Sequence, residues 1–376
     1  MSDAPSVLIL GGLGFIGRNL MKYLVESNTE EAPIASFIRV VDKTLPIMAH
    51  LTPEYMTVFK DESVEYVQGD VGSDDFLDRV FTPPQGKEPF ALVVNLAAET
   101  RFGLPEMMYQ RNISTLRLKC ATKARDYRVD RYLEVSTAQV YKASNTKPVK
   151  ESDLGAIKPW TVHARHHLIA EESIRQLQGL NWIILRLPNV YGPGDVNGLM
   201  PRITCAAAYE FAENEMPMLW GEELRMHTVH VQDVAAAIWF LLVAGGIGEV
   251  YNLVDENDTS QGSFNKVLES IFRFKTNFSG AFMSNAAQLK LDEICEEANQ
   301  GHLETWMEMC NATGVLNTPL GPAVDKELLG NHPLCIDGTK IKMLGFECSC
   351  PQPNGELLQD SIEYWASQGK FPRKKK

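Results

Sequence analysis

Apolar residues fall in short unbroken runs, and between the runs they recur every three or four positions. Val7-Leu8-Ile9-Leu10 is such a run, and Ile16, Leu20 and Leu24 follow it at a spacing of four. A run followed by that spacing predicts a buried strand leading into an amphipathic helix. The pattern then repeats. Phe37 to Val41, closed by Asp42, predicts a second strand, and Val64 to Val67 a third, with helical spacing at Phe76, Val80 and Phe81 behind it. Ala91 to Leu96 is apolar nearly throughout, Pro105 to Tyr127 reads as a long helix, and Tyr132 to Ser136 as a fifth strand. Strands apolar on both faces belong to a parallel sheet covered by helices on both sides. Their alternation with helices implies right-handed crossovers and ligands at the C-terminal strand ends. The predicted fold class is α/β, a Rossmann-type doubly wound parallel sheet with a smaller C-terminal region for substrate.

The second half is less regular. Trp182 to Leu187 predicts a strand, followed by the turn Asn189-Val190-Tyr191-Gly192-Pro193-Gly194-Asp195. Helical stretches around 198–213 and 233–244 flank a short strand at Thr228 to Val231, and Glu249 to Val254 is a further strand. From about 276 to 334 the pattern weakens around an acidic helical stretch containing Asp292, Glu293, Glu296, Glu297, Glu304 and Glu308. The chain divides as 1–190, a dinucleotide-binding Rossmann domain, and 191–376, a smaller mixed α/β region for substrate or partner, interleaved with the first.

Composition narrows the function classes. The 376 residues carry a net charge of −12, which leaves no basic field to hold nucleic acid. The one basic run, Arg373 and Lys374 to Lys376, reads as a solvated tail. Seven cysteines show no metal or redox spacing, as expected of reduced thiols in a cytoplasmic compartment. The most apolar run, Val234 to Gly246, is too short to cross a bilayer and reads as a buried helix. With a strand starting near residue 6, the N-terminus has no room for a cleavable presequence.

The candidate chemistry sits in the first turn. Gly11, Gly14 and Gly17 lie between strand and helix. The first allows the tight turn, the second lets a pyrophosphate approach the backbone, and the third lets helix and strand pack closely. Free N–H groups of Phe15 and Ile16 at the helix start would face the phosphates. Asp42 lies 42 − 17 = 25 residues beyond the last glycine, close to the spacing of a carboxylate that accepts bonds from an adenosine ribose. A carboxylate there favours NAD over NADP, whose extra phosphate it repels.

With these motifs in hand, the chain resembles the extended short-chain dehydrogenase/reductases, the group holding nucleotide-sugar epimerases and dehydratases and 3β-hydroxysteroid dehydrogenase-like proteins. Gly11-Gly12-Leu13-Gly14-Phe15-Ile16-Gly17 is similar to the family's glycine motif, and Asp70-Val71 to its adenine-contacting pair. Asn95-Leu96-Ala97-Ala98 resembles its His-Leu-Ala-Ala strand end, and Ser136-Thr137-Ala138-Gln139-Val140-Tyr141 its hydroxyl strand, which implies a catalytic hydroxyl at Thr137. Asn189-Val190-Tyr191-Gly192-Pro193 and His230-Val231-Gln232-Asp233-Val234 resemble later signatures, with a fainter return at Ile336-Asp337-Gly338-Thr339-Lys340. Arg225 lies one residue out of register for the diphosphate-contacting arginine of nucleoside-diphosphate binders. The resemblance implies a homodimer paired through the helices carrying residues 105–127 and 163–177.

One match fails. The family carries Tyr-x-x-x-Lys on the helix after the hydroxyl strand, and here Pro159, Thr161, Ala170 and Glu171 fix a register in which His163 replaces the tyrosine and His167 the lysine. In the family the lysine cation lowers the tyrosine pKa so that a phenolate takes the substrate proton as hydride leaves. Histidine, with an ordinary pKa of about 6.5, supplies no dependable cation at neutrality. The favoured reading is an NAD(H)-binding relative without the usual hydride chemistry, serving as a scaffold, sensor or subunit of an assembly. The alternative is an active oxidoreductase, epimerase or dehydratase on a nucleotide sugar or sterol-like substrate, with His163 titrating near pH 6 to 7 as base beside Thr137. A third reading takes His163, His167 and Glu171, spaced i, i+4, i+8, as metal ligands. Glu171 already belongs to the family pattern, so no metal is expected.

Overall fold

The structure, a computed structural model, describes residues 4–29 and 31–373; Lys374 to Lys376 lie outside them. Eleven strands occur among the described residues: β1 (Ser6–Leu10), β2 (Phe37–Asp42), β3 (Val64–Gln68), β4 (Leu92–Asn95), β5 (Arg131–Thr137), β6 (Trp182–Leu187), β7 (Asn189–Tyr191), β8 (Met216–Met218), β9 (Thr228–His230), β10 (Glu249–Asn252) and β11 (Thr276–Phe278). Seven make one sheet of order β10-β6-β5-β4-β1-β2-β3, with every pairing parallel. The strand order reverses between β1 and β4, and the crevice above that reversal is where a doubly wound sheet binds its ligand.

Period-two alternation divides the strand residues between two helical layers. Val7 and Ile9, with Ile38, Val40, Leu133 and Leu185, face one core, closed by α1 (Phe15–Ser27) and, further along the chain, by residues 231–244. Leu8 and Leu10, with Val41, Val93 and Tyr132, face the other. The chain's next helices are α2 (Pro53–Val58), which packs beside α1, and α3 (Asp74–Phe81), which buries Phe76, Leu77, Val80 and Phe81 in that second core. The predicted helix at 105–127 is one continuous element with a π-helical segment at Gln110–Thr115 between α4 (Glu106–Tyr109) and α5 (Leu116–Asp126). Such segments recur at functional sites. Then comes α6 (Val162–Arg175), started by Thr161, whose side chain accepts the Ala164 N–H.

Beyond the sheet, α7 (Met200–Ala212), α9 (Gln261–Ile271), α11 (Leu291–Thr313) and α13 (Gly355–Ala366) bury Ile203, Phe264, Leu268, Trp306, Leu358 and Trp365 in a core of their own. The intervening helices are α8 (Val231–Ala244), α10 (Gly280–Gln288) and α12 (Thr339–Met343). The acidic stretch is α11. The apolar run predicted as a buried helix is α8, which packs on α1, and no described helix is long and apolar enough to cross a membrane. Since β10 pairs with β6, the region after residue 190 threads back into the first sheet. All seven cysteines are free thiols.

Candidate active site

The glycine turn connects β1 to α1 above the crevice. Gly11 has φ +83°, and a Cβ there would come within 2.8 Å of the Ala97 nitrogen, so the turn and the end of β4 touch backbone to backbone. At Gly17 a Cβ would lie 2.5 Å from the Gly11 carbonyl oxygen. Gly14 is different: it is exposed, and a Cβ there meets only the Gly11 oxygen at 3.3 Å. No side chain caps α1, so the N–H groups at Phe15 and Ile16 are available to an anion, as a pyrophosphate requires. Asp42 holds the turn from the other side. Its carboxylate accepts the Leu13 N–H at 3.0 Å and the Thr44 N–H at 2.9 Å, keeping lone pairs for ribose hydroxyls.

The remaining cofactor candidates follow the C-terminal ends of β3, β4 and β6. Leu96, Ala97 and Ala98 end β4, half-buried, with the Leu96 N–H on the Leu10 carbonyl. Asp70 is exposed beside buried Val71 and accepts the Gly72 N–H. A cavity of about 130 Å³ adjoins Asp70, lined also by Arg111, Asn112, Thr115 and Lys119. Sequence reasoning missed these. Arg111, Thr115 and Lys119 stand at i, i+4, i+8, a spacing that marks one helical face once the helix is set against Asp70. Asn189 and Val190 start β7, with the Asn189 amide donating to the Met226 and His227 carbonyls. The cradle therefore fits a dinucleotide. Asp42→Ala is expected to weaken NADH binding about 10- to 100-fold, the scale of a charged hydrogen bond, and to bring NADPH to parity. Calorimetric titration of both cofactors checks this.

His163 and His167 lie one turn apart on α6, both buried. His163 Nε2 is 3.0 Å from the Glu99 carbonyl oxygen and 3.3 Å from His167 Nε2. A carbonyl only accepts, so His163 carries its proton on Nε2 and donates it. His167 must then present a bare Nε2 and a protonated Nδ1. The two rings are complementary neutral tautomers, and both Nδ1 atoms are buried without a partner. Phe102 and Tyr109 pack on His163, with ring centroids 5.0 and 5.9 Å away. Burial, reinforced by the nearby Arg117 guanidinium, pushes the His163 pKa down to about 4 and the His167 pKa well below its ordinary value. The ordinary histidine pKa alone gives titration near pH 6 to 7; at this site desolvation outweighs the hydrogen bond to Glu99 and moves it down.

Thr137 ends β5, half-buried, and its hydroxyl oxygen accepts the Gln139 N–H at 3.2 Å. Gln139 in turn accepts the Thr161 hydroxyl at the start of α6. Among the described residues no hydrogen bond joins Thr137 to His163. Glu171 is occupied by the Ser136 hydroxyl at 2.6 Å and by Arg186, whose Nη2 donates at 2.5 Å, so it is no metal ligand beside the histidines. Arg225 is equally committed, donating to Asp258 at 2.7 Å and to the Asn145 carbonyl at 2.8 Å. It borders a cavity of about 330 Å³ with His227, Asp255, Asp258, Asp337 and Lys342. His227, Asp258 and Cys335 cluster there, but His227 Nδ1 accepts the Ile336 N–H at 3.2 Å. That bond puts the ring proton on Nε2, the atom a metal would need.

Comparison with known proteins agrees with this geometry. The chain is 26% identical over 318 residues to human dTDP-D-glucose 4,6-dehydratase, covering 82% of this chain and 79% of that protein. It is 25% identical over 274 residues to the low-salt glycan biosynthesis protein Agl12 of Haloferax volcanii, covering 70% and 82%. Among solved structures, a Streptomyces venezuelae dTDP-glucose 4,6-dehydratase with NAD and TYD bound superposes with a TM-score of 0.69 at 18% identity, covering 96% of this chain and 97% of that one. A Thermotoga maritima UDP-glucose 4-epimerase with UDP-glucose superposes with a TM-score of 0.67 at 19% identity, covering 96% and 99%. Residues 7–253 match the sequence profile of the NAD dependent epimerase/dehydratase family, and the chain belongs to that family.

Proposed function

We propose that this chain binds NAD(H) in the cradle around Gly14 and Asp42 but does not run the usual hydride chemistry, serving instead as a cofactor-holding scaffold, sensor or assembly subunit. One observation carries this reading: His163 spends its Nε2–H on the Glu99 carbonyl, in a neutral pair with His167. Neither ring is a cation, and neither offers an ionised oxygen to a substrate hydroxyl. Two further expectations accompany the proposal, a cytoplasmic location, which the free thiols suit, and a homodimer paired through the helix over residues 105–127 and the one over 163–177.

A second reading draws on the His163 Nδ1 lone pair, buried and without a partner. It is a base, and with Thr137 it would serve an oxidoreductase, epimerase or dehydratase acting on a nucleotide sugar or sterol-like substrate. Its pKa of about 4 makes it a poor one, because a general base works best when its pKa lies near the operating pH.

Purified protein with NAD and a panel of nucleotide sugars and hydroxysteroids separates the two. The proposal expects no substrate-dependent NADH signal, and His163→Ala with NADH affinity within about twofold of the parent. Turnover that falls about 10²- to 10⁴-fold in His163→Ala, the worth of a positioned base, establishes the second reading. Activity gained by His163→Tyr with His167→Lys would show that only the acid–base pair is missing.

A further inference from the structure

The glycine turn is held from a direction its own sequence does not reveal. In any peptide unit the C=O and the following N–H point opposite ways, so fixing a carbonyl fixes the next N–H. Arg18, on the first turn of α1, fixes two. Its Nη2 donates to the Leu13 carbonyl at 2.6 Å and its Nε to the Gly14 carbonyl at 3.2 Å. The Gly14 N–H is thereby held on the Gly11 carbonyl at 3.3 Å, and the Phe15 N–H is turned away from the guanidinium toward the crevice side of the turn. Were either carbonyl to rotate toward a bound pyrophosphate, it would repel the phosphate oxygens.

Arg18 is only 7% exposed, and among the described residues no carboxylate pairs with it. Its remaining partner is the Tyr364 hydroxyl on α13, 346 residues away, which accepts from Nη1 at 2.6 Å. That hydroxyl spends its own proton on the His50 carbonyl at 2.8 Å, so it faces Arg18 as an acceptor. The Tyr364 ring stands edge-on to Tyr55 at 5.4 Å. Gly194 closes the remaining side: a Cβ there would lie 2.9 Å from Arg18 Cδ.

We propose that Tyr364 is a positioning residue for the dinucleotide turn. Acting through Arg18, it sets the shape of the turn and the Phe15 N–H that receives the pyrophosphate, so the docking of α13 controls cofactor affinity. The proposal rests on NAD(H) binding in this cradle.

NADH titration of the full chain tests it with Tyr364→Phe, Arg18→Lys and the double variant, beside melting curves. Tyr364→Phe keeps the ring packing and removes only the hydroxyl, with its bonds to Arg18 and to the His50 carbonyl; its Kd is expected to rise about 5- to 20-fold, the scale of one charge-assisted hydrogen bond. The double variant should bind no worse than Arg18→Lys alone, because both break one relay. Tyr55→Phe, which loses a bond to Asn19 and none to Arg18, should leave the Kd within about twofold. A Tyr364→Phe variant with a lower melting temperature and an unchanged Kd overturns the proposal, as does additivity in the double variant. If Tyr364→Phe does not fold, Arg18→Lys decides alone: an unchanged Kd overturns the relay. Failure of the parent protein to bind NADH would instead refute the cofactor reading beneath it.

Discussion

A single methyl group placed on Gly17 is expected to weaken NAD(H) binding on the order of 10²-fold. The added Cβ would stand 2.5 Å from the Gly11 oxygen, 2.6 Å from Gly12 Cα and 2.7 Å from the Gly12 carbonyl carbon, all backbone atoms of the turn itself. None can swing aside as a flexible side chain would, so α1 must shift away from β1. A displacement of about 1 Å at a binding constellation costs on the order of 10²-fold. Overpacking of this kind also costs about 1–3 kcal/mol of stability. Gly14→Ala is the informative contrast. Its Cβ meets one backbone atom, the Gly11 oxygen at 3.3 Å, so the protein should lose far less stability than Gly17→Ala while the methyl group obstructs the phosphate. NADH titration and melting curves of both variants check the pair. Parent-like NADH affinity in Gly17→Ala would mean that this turn is not the cofactor cradle.

The second large effect is a tilt in the pH dependence of stability when His163 is removed. A histidine whose folded pKa is depressed contributes stability that is complete above its unfolded pKa and lost as pH falls through the folded one. For His163, about 6.5 unfolded and about 4 folded, the loss between pH 7.5 and pH 5 is about 2 kcal/mol. His230, buried and likewise pushed down to about 4, adds a similar loss. Two buried carboxyls act in the opposite sense: burial raises Asp255 to about 7 and Asp195 to about 6, so each favours the folded state more as pH falls. These contributions, and that of His167, belong to parent and variant alike, so they cancel when the two are compared at each pH. His163→Gln removes one histidine contribution and should gain about 2 kcal/mol of stability at pH 5 relative to pH 7.5. Urea unfolding at the two pH values measures it, and parallel behaviour of parent and variant would show that His163 is not a desolvated neutral group.

The sheet was legible because its strands are apolar on both faces and its helices amphipathic, so two periods sufficed to order the first half. Gly11 and Gly17 announced the turn for the same reason that they resist replacement: each answers to a separate close approach of backbone. The acid–base substitution was legible only against the family pattern, since two histidines one helical turn apart carry no message alone. What they do was not legible. The partner that fixes the His163 tautomer is the backbone oxygen of Glu99, an atom every residue possesses. The depth of burial that sets the pKa depends on Phe102, in the loop after β4, and Tyr109, at the end of α4, and no pattern in the chain places either over α6. Arg18 and Tyr364 lie nearly the full chain apart, and no local pattern joins them.

The central claim is that α6 carries a neutral histidine pair of opposite tautomers, at the positions where we propose the family's phenol and cation have been replaced. Nitrogen-15 NMR of ring-labelled histidines across pH 3.5 to 8 reads this directly. The account predicts a protonated Nε2 for His163, a protonated Nδ1 for His167 and no titration of either ring above about pH 5. A His163 or His167 resonance titrating near pH 6.5, or the same tautomer in both rings, would contradict it.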